Sequence, residues 1–447
     1  MWTEFRLKNF KGYQDTGLQI LRPLTILIGP NGGGKSTLLK FLMMLKQTVE
    51  NSDAVSTLIT SVKDDKEGYV DLGYYKDYVF RGDTKSIISM QLSWQPTEDK
   101  AASEARTIFV EVEQPTRAKL QVAVKRLCYQ GKDGKNLVSL TRFAKGTYKL
   151  DLHDNREMPK LKEKSREYEP EKFYRFSPAL LADLHFEVEA RLRQFSQDFE
   201  VQIRNTYYLG PLRDHPRRYY EAAGERPADL GIRGQKIDSV LYGADRLLMV
   251  RADFWLRRLG IAQSVSLSRI SRGNIFNLLI RGLGQKSAVN LADYGFGASQ
   301  ILPIIVESLY SPPGSTILIE QPEIHLNARH QLKLPDFFAE LVRSSQPDLA
   351  DILGDHNKQF IIETHSEYFL KRLSTLVAKQ TVKPDEVIVL YCSADENGSH
   401  IQPITLDRLG QYSWWPPEFL TEGYEGAAEH LEEMERIADQ ESGEGVA

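Results

Sequence analysis

The sequence predicts an α/β fold in which buried parallel strands alternate with helices. Three observations lead to this prediction. A glycine-rich segment at 29–37 (GPNGGGKST) lies between the apolar run 24–28 and a helical pattern. A second apolar run, 315–319, ends directly in an acidic segment, and a third, 360–362, ends in Glu-Thr-His. Short apolar runs bounded by turn residues are typical of strands buried on both faces of a parallel sheet.

The glycine-rich segment fits the pattern G-x-x-x-x-G-K-[ST] of a phosphate-binding loop. Glycines let consecutive backbone N–H groups turn toward phosphate oxygens, and the following helix directs its positive dipole end at the same anion. A lysine at this position reaches the β- and γ-phosphates, and the next hydroxyl ligates Mg²⁺. A chance match in a glycine-rich turn is the alternative, and the strand before and helix after disfavour it. We expect a bound nucleoside triphosphate, held by Gly29, Pro30, Asn31, Gly32, Gly33, Gly34, Lys35, Ser36 and Thr37.

A carboxylate follows the apolar run 315–319, at Glu320. When such a strand lies beside the strand of the phosphate-binding loop, its last carboxylate is close to the metal. The alternative is a solvated glutamate that only ends a strand. Together with the loop, the pattern favours a metal site formed by Ser36 and Glu320.

Two further motifs carry polar groups at the ends of elements. His365 follows the third apolar run, where an imidazole is placed to contact a γ-phosphate or its attacking water. The segment 293–300 (DYGFGASQ) opens a helix, and its Gly297, Ser299 and Gln300 form a second anion-binding terminus. One triphosphate cannot occupy two distant termini of one chain, so the second is expected to face the nucleotide of a partner. An ordinary glycine-bounded helix cap remains the alternative.

The bulk composition is that of an ordinary globular protein. The chain has 447 residues, a formal net charge of −4 and two distant cysteines, Cys128 and Cys392. This pattern suits a reducing compartment and gives no disulfide or cysteine metal framework. The sequence contains neither a signal peptide nor a run of 18 apolar residues, so we expect a cytoplasmic protein without membrane contact.

Four regions are predicted along the chain. Residues 1–150 contain the phosphate-binding loop and a β-rich subdomain, and residues 151–276 contain a charged linker and a helical insertion. Residues 277–430 hold the remaining motifs on alternating strands and helices, and 431–447 form an acidic, disordered tail. The charged part of the linker mixes both signs, which favours a solvated segment over a binding arm.

The four motifs, in this order, resemble the ATP-binding cassette (ABC) and SMC-type ATPases. Within them, they are most similar to the prokaryotic ATPases related to the overcoming-lysogeny-defect (OLD) proteins, whose acidic, signature and histidine motifs stand here as EQPEIHLNA, GFGASQ and ETHSE. The resemblance covers residues 1–50 and 290–395, and more loosely 207–218. It implies an α/β P-loop ATPase head of ABC/SMC type, with a β-rich and helical insertion between the phosphate-binding loop and the signature motif. The implied cofactors are ATP and Mg²⁺.

The resemblance also implies roles for single residues. Glu320 is the acid on the metal side, Ser299 contacts the partner's γ-phosphate, and His365 is the switch histidine. Gln321 departs from the family pattern, because that position usually holds the carboxylate that polarises the attacking water. Either Glu323 takes over that role, or turnover is slow and the protein acts mainly as an ATP-gated clamp. A glutamine corresponding to the usual Q-loop is not identifiable, and Gln91 and Gln95 are both weak candidates.

At the level of function, the resemblance implies a homodimer or larger homo-oligomer that closes around shared ATP. Such ATPases control a separately encoded nuclease or toxin in bacterial anti-phage defence, as in Septu or PARIS systems. A RecF-like DNA-binding ATPase and the head of a membrane transporter are the alternatives. Nucleic acid is a candidate partner because arginines cluster in two places, although pairing with the many acids of the chain is the favoured explanation. These arginines are Arg213, Arg217, Arg218, Arg251, Arg257 and Arg258.

Overall fold

The computed structural model describes most of the chain in detail. The described residues are 1–51, 56–61, 68–96, 106–114, 122–131, 136–143, 146–152, 166–222, 224, 226–270, 274–342, 357–417 and 419. The sequence predicts a hairpin turn at 131–134, of which only Gly131 lies within these ranges. Most of the charged linker and the whole acidic tail lie outside them. Within them, no helix is long and apolar enough to cross a membrane.

The strands are numbered in chain order from β1 to β18. They are Trp2–Phe10, Tyr13–Asp15, Gln19–Ile20, Leu24–Ile28, Ile88–Trp94, Arg106–Glu113, Ala123–Gln130, Asn136–Arg142, Tyr148–Leu152, Thr206–Leu209, Tyr220–Glu221, Ser264–Arg269, Ile275–Arg281, Val289–Asn290, Thr316–Glu320, Gln359–Glu363, Val387–Asp395 and Gly398–Ile404. The α-helices, α1 to α10, are Lys35–Glu50, Tyr75–Tyr78, Pro178–Ala182, Phe186–Arg204, Ile237–Tyr242, Arg246–Leu259, Phe296–Tyr310, Ala328–Gln331, Leu334–Val342 and Glu367–Ala378. Short 3-10 helices lie at Phe80–Gly82, Leu291–Asp293 and Pro384–Glu386.

A six-stranded sheet lies at the centre of the fold, in the order β10-β15-β16-β4-β17-β18. All neighbours in it are parallel except β17 and β18, which form an antiparallel pair. The strand before the glycine-rich segment, β4, lies between β16 and β17. This order brings the carboxyl ends of β4, β15 and β16 to one edge, which is where ligands bind in open α/β sheets.

The central sheet is buried on both faces, because alternate side chains of its strands enter two different apolar clusters. On β15, Ile317 and Ile319 pack into the cluster that contains α6, α7 and α9, while Leu318 packs with α1 and α4. Strand β16 repeats the pattern with Ile361 on the second side. A period of two across a fully buried sheet explains why these strands read as continuous apolar runs.

Two further sheets flank the central one. An eight-stranded antiparallel sheet has the order β2-β1-β5-β6-β7-β8-β9, with β3 paired to β1. The sequence predicts short strands between about residues 85 and 150, and β5 to β9 form there. A smaller four-stranded sheet is formed by β11, β12, β13 and β14. Strand β10 falls within the region assigned to the helical insertion, yet it forms the edge of the central sheet beside β15.

Three buried lysines bind carbonyl groups at helix C-termini. Lys46 donates to the carbonyl of Arg204, the last residue of α4, and to that of Thr206, the first residue of β10. Lys172 donates to carbonyls at 48, 49 and 51, at the end of α1. Lys358 donates to carbonyls at 308 and 311, at the end of α7. A positive charge at this end of a helix complements the dipole and satisfies carbonyls that have no intrahelical partner.

Candidate nucleotide site

The glycine-rich loop connects β4 to α1, as the sequence predicts. Glycine is required at Gly29 by packing as well as by conformation. Its φ is +135°, and a Cβ there would lie 2.0 Å from the main-chain oxygen of Cys392 on β17. Gly34, which precedes the helix, has φ +99°, and a Cβ there would lie 2.6 Å from the hydroxyl oxygen of Tyr13. The loop is therefore pressed against β17 and β2 so closely that no side chain fits between them.

Lys35 is the first residue of α1, and its side chain folds back over the loop. Its ammonium group donates to the carbonyl oxygens of Gly29 and Pro30, both at 2.9 Å. Burial lowers the pKa of Lys35, and the charge of Glu363 opposes that effect. An ammonium group held across the mouth of a phosphate-binding loop is placed to bind phosphate oxygens.

Ser36 and two glutamates meet at the edge of the central sheet. The Ser36 hydroxyl donates to Oε2 of Glu363 at 2.7 Å. Glu363 is the last residue of β16 and pairs in register with Glu320, the last residue of β15. Both glutamates are buried. The structure thus brings the distant residues Ser36 and Glu320 to neighbouring positions, and it adds Glu363 between them.

Two residues from the segment after α4 hold Glu320 in place. The Tyr208 hydroxyl, on β10, donates to Oε1 of Glu320 at 2.7 Å. The buried guanidinium group of Arg213 donates to the main-chain oxygen of Glu320 at 2.8 Å. Burial raises the pKa of Glu320, the Tyr208 hydrogen bond opposes this, and the charge of Glu363 adds to it. Burial also lowers the pKa of Arg213 to about 10, which leaves this residue charged near neutral pH.

Glu320 and the seven residues after it form a segment that we call the acidic loop (320–327). Gln321 has φ +46°, and its N–H donates to the main-chain oxygen of Glu363 at 2.7 Å. The Glu323 carboxylate accepts the N–H of His365 at 2.7 Å and is buried, which raises its pKa. His365 is half-buried, and burial followed by the charge of Lys35 lowers its pKa, so its imidazole is neutral near pH 7. The acidic loop and the histidine are therefore joined directly.

The signature motif lies at the start of α7, where Phe296 is the first helical residue. The Phe296 ring packs between His325 of the acidic loop and His215, at centroid distances of 4.5 and 5.0 Å. A Cβ on Gly297 would lie 3.0 Å from the main-chain oxygen of His325. Ser299 is buried and donates to the carbonyl of Phe296 at 2.7 Å, and the neighbouring Gln300 is also buried. The motif thus contacts the loop that follows Glu320 in the same chain.

The oxygen groups at this edge fit Mg²⁺. A serine hydroxyl and carboxylates are the hard donors that Mg²⁺ prefers, and this ion usually takes one or two carboxylates, with phosphate and water completing its shell. Within the described residues, no group of three or more His, Cys, Asp or Glu side chains forms a metal site. Ser36, with Glu320 and Glu363 beside it, would hold Mg²⁺ only together with a nucleotide. Bound there, the ion would neutralise phosphate charge.

Three contributors to the site were not assigned from the sequence: Glu363, Tyr208 and Arg213. Glu363 stands in the ETHSE motif and ends an apolar run. The same pattern predicts a site residue at Glu320, so it could also have indicated Glu363. Tyr208 and Arg213 stand in the loosely matched segment YLGPLR. Their roles depend on β10 lying beside β15, and no local pattern in the sequence indicates that neighbour.

Comparison with known proteins gives one family match and similar solved structures. A family model described as "AAA domain, putative AbiEii toxin, Type IV TA system" matches residues 24–371. The search of curated proteins found no match. One similar solved structure is the SMC head domain from Thermotoga maritima, with 11% identity, 90% of this chain and 98% of that chain covered, and a TM-score of 0.37. Another is the Smc head domain with an extended coiled coil bound to the C-terminal domain of ScpA, derived from Pyrococcus furiosus. It has 9% identity, coverage of 97% and 99%, and a TM-score of 0.43.

The family match spans the glycine-rich loop, the signature helix, the acidic loop and the histidine. The parallel sheet with its phosphate-binding loop after β4 is that of a P-loop nucleotide-binding fold. The chain therefore belongs to the AAA-domain family whose description names the AbiEii toxin of type IV toxin–antitoxin systems.

Proposed function

We propose that this protein binds ATP with Mg²⁺, hydrolyses it slowly, and pairs with a second copy of itself when ATP is bound. The closed dimer then acts as a sensor and scaffold that controls a separately encoded effector, a nuclease or toxin, in bacterial anti-phage defence. The OLD-like group, with Septu and PARIS as examples, is the finer family placement that we favour.

The observation that carries the proposal is the meeting of Ser36, Glu320 and Lys35 at one edge of the central sheet. Ser36 and Glu320 both lie next to Glu363, and Glu363 also acts electrostatically on Lys35. A hydroxyl, a carboxylate and an ammonium group in this arrangement suit the phosphates and metal of a nucleotide. An ion-pair network that served only stability would not need the glycine-rich loop that lies beside these three residues.

Pairing of two copies is supported by the position of the signature motif. Phe296 stays about one-third exposed, at 37%, although it packs on two imidazole rings. It stands beside the buried Ser299 at the start of a 15-residue helix whose dipole favours an anion. A second copy that presents its nucleotide here would complete both sites. ATP bound in either copy would then reach the acidic loop of the other through Phe296 and His325.

Slow turnover is supported by the chemistry of two side chains. Gln321 has no group that accepts a proton from water near neutral pH. Glu323 is buried, so an attacking water reaches its carboxylate poorly, and one of the two carboxylate oxygens already accepts the N–H of His365. Steady-state ATPase assays test this directly. If Glu323→Gln leaves the rate unchanged while Lys35→Ala abolishes it, Glu323 is not the base.

The defence role rests on the family description and on analogy with OLD-like ATPases, since a fold alone does not assign a pathway. Co-purification with the proteins encoded by neighbouring genes tests it. A co-eluting nuclease or toxin supports an effector-controlling scaffold. Co-elution of a permease would point to transport and contradict the proposal.

The RecF-like alternative gains little from the arginine clusters. Arg218 forms a bidentate pair with Asp293, and Arg258 pairs with Glu340. Arg213 is buried against the acidic loop. These side chains are engaged within the chain, as expected if the clusters serve internal pairing. Steep salt dependence of DNA binding, with stimulation of ATPase by long DNA, would revive the alternative.

The central experiment is the molar mass in solution with ATP and Mg²⁺, compared with ADP and Mg²⁺, measured by light scattering after gel filtration. We expect about a twofold higher molar mass with ATP and Mg²⁺, and no increase with ADP and Mg²⁺. Lys35→Ala should remove the increase because the loop loses its ammonium group, whereas Lys85→Ala, on the exposed loop before β5, should retain it. An unchanged mass with ATP in the wild-type protein would refute the proposed pairing.

A further inference from the structure

Glu363 is the least expected residue of the site. It ends β16, directly beside the end of β15, and its carboxylate accepts the Ser36 hydroxyl at 2.7 Å. Glu363 is only 4% exposed and Glu320 only 6%. Paired residues of neighbouring parallel strands stand on the same face of a sheet, about 4.8 Å apart. Two acids therefore stand side by side at the place where a triphosphate binds.

The hydrogen bond from Ser36 fixes the direction of its hydroxyl. A serine oxygen that gives its proton to a carboxylate keeps its lone pairs free, and those lone pairs are what a cation needs. Partners that orient a metal ligand in this way commonly control metal affinity. Glu363 thus has a role that is separate from the transfer of a proton to or from water.

The two carboxylates also set the charge of the pocket. Burial raises the pKa of Glu320, and the charge of Glu363 adds to this because the two carboxylates lie side by side at the ends of β15 and β16. In the described part of the chain, neither Lys35 nor Arg213 forms a salt bridge with these two carboxylates. The Lys35 ammonium binds two loop carbonyls, and the Arg213 guanidinium binds the main chain of the acidic loop. Phosphate oxygens that lie beside Ser36 without a divalent cation would therefore face both carboxylates.

We propose that Glu363 is a positioning residue that makes nucleotide binding conditional on a divalent cation. It orients the Ser36 hydroxyl toward the metal, and together with Glu320 it repels phosphate that arrives without metal. The inference rests on the proposed ATP binding, and it assigns Glu363 a role that follows from its own contacts. It concerns the coupling between metal and nucleotide rather than the rate of hydrolysis.

Three substitutions separate orientation from charge. Glu363→Gln keeps an oxygen that accepts the Ser36 hydroxyl but removes the charge. Glu363→Asp keeps the charge but withdraws it by one methylene, so that contact with Ser36 is lost. Glu367→Gln is the matched control, because Glu367 lies four residues later in the first turn of α10 and pairs with Lys371. Circular dichroism of each variant shows whether it folds.

The assay is the affinity for fluorescent ATP, measured in EDTA and across a series of MgCl₂ concentrations. In the wild-type protein we expect Mg²⁺ to tighten binding strongly. Glu363→Gln should tighten binding in EDTA by about tenfold or more, because one unit charge has been removed at short range. Glu363→Asp should leave binding in EDTA unchanged and raise the Mg²⁺ concentration needed for tight binding by about 10- to 100-fold.

The outcomes distinguish this inference from the proposed function. If the wild-type protein does not bind the fluorescent nucleotide under any condition, ATP binding itself is refuted. If the wild-type protein binds in a Mg²⁺-dependent way and both Glu363 variants behave like it, only the role of Glu363 is refuted. A Glu367→Gln variant that matches Glu363→Gln would also refute it, because the effect would then not be specific to this position.

Discussion

Glu307 allows a prediction that is independent of ATP. It lies on the signature helix α7 with only 1% of its surface exposed, and its Oε2 accepts the N–H of Leu230 at 2.8 Å. Within the described residues, its Oε1 has no hydrogen-bond partner. Burial raises the pKa of Glu307 to about 8, the Leu230 N–H opposes this, and the charge of Asp229 adds to it. The positive charges of Lys46 and Lys358 oppose it weakly.

The sign follows from the two protonation states. The unfolded value is 4.5 and the folded value about 8, so between these pH values the native protein carries a proton that the unfolded chain has lost. The native state then binds more protons, and the free energy of unfolding falls as the pH rises. Between pH 5 and pH 7 the contribution of this one group falls by roughly 2.5 kcal/mol. Above about pH 8 both states are ionised and the dependence ends.

The perturbation is Glu307→Gln, which keeps an acceptor for Leu230 but does not titrate. Urea unfolding followed by tryptophan fluorescence at pH 5, 6 and 7 gives the free energy of unfolding of each protein. We expect the variant to gain roughly 2.5 kcal/mol relative to the wild-type protein from pH 5 to pH 7. The exposed substitution Glu396→Gln should leave the wild-type pH dependence in place. Parallel pH curves for the wild-type protein and Glu307→Gln would refute the reasoning, because Glu307 would then be ionised in the native state.

Two further predictions concern the site. Gly29→Ala should abolish nucleotide binding and destabilise the protein by more than about 2 kcal/mol, because its Cβ would overlap the Cys392 carbonyl. Gly32→Ala is the control: its Cβ meets no atom within 4 Å, so the substitution should cost only ~1–2 kcal/mol for the positive φ. Thermal unfolding and fluorescent-ATP binding check both, and equal effects would contradict the packing argument. Arg213→Met should destabilise the protein by about 3–5 kcal/mol in urea, because the buried carboxylates of the acidic loop lose their counter-charge. The exposed Arg217→Met is its control, and a cost for Arg213→Met below about 1 kcal/mol would show that the guanidinium does not compensate them.

Much of the central fold could be predicted from the sequence, because its strands are buried on both faces and therefore read as unbroken apolar runs. The strand before the loop, the strand before Glu320 and the strand before His365 all lie where they were expected. The fold class is confirmed by the sheet order and the family match. The roles assigned to Ser299, Glu323 and His365 remain predictions, although their positions beside the acidic loop or the signature helix are now defined.

What could not be predicted are contacts between segments that are distant in the sequence. Strand β10 is four residues long, and nothing in those residues shows that it pairs with β15 and brings Tyr208 to Glu320. The sequence places Arg213 in a basic cluster, yet its side chain is buried against the main chain of the acidic loop. In both cases the function of the residue is set by a neighbour that tertiary structure supplies.

The three buried lysines that bind helix C-termini have a practical consequence for experiments that follow this protein in solution. Each of these lysines is at most 4% exposed, and its ammonium group joins a helix end to a segment far away in the chain. Amine-reactive reagents reach such nitrogens only when the surrounding element opens. Mass-spectrometric labelling of Lys46, Lys172 and Lys358 would thus measure, site by site, how often the ends of α4, α1 and α7 detach from the rest of the molecule.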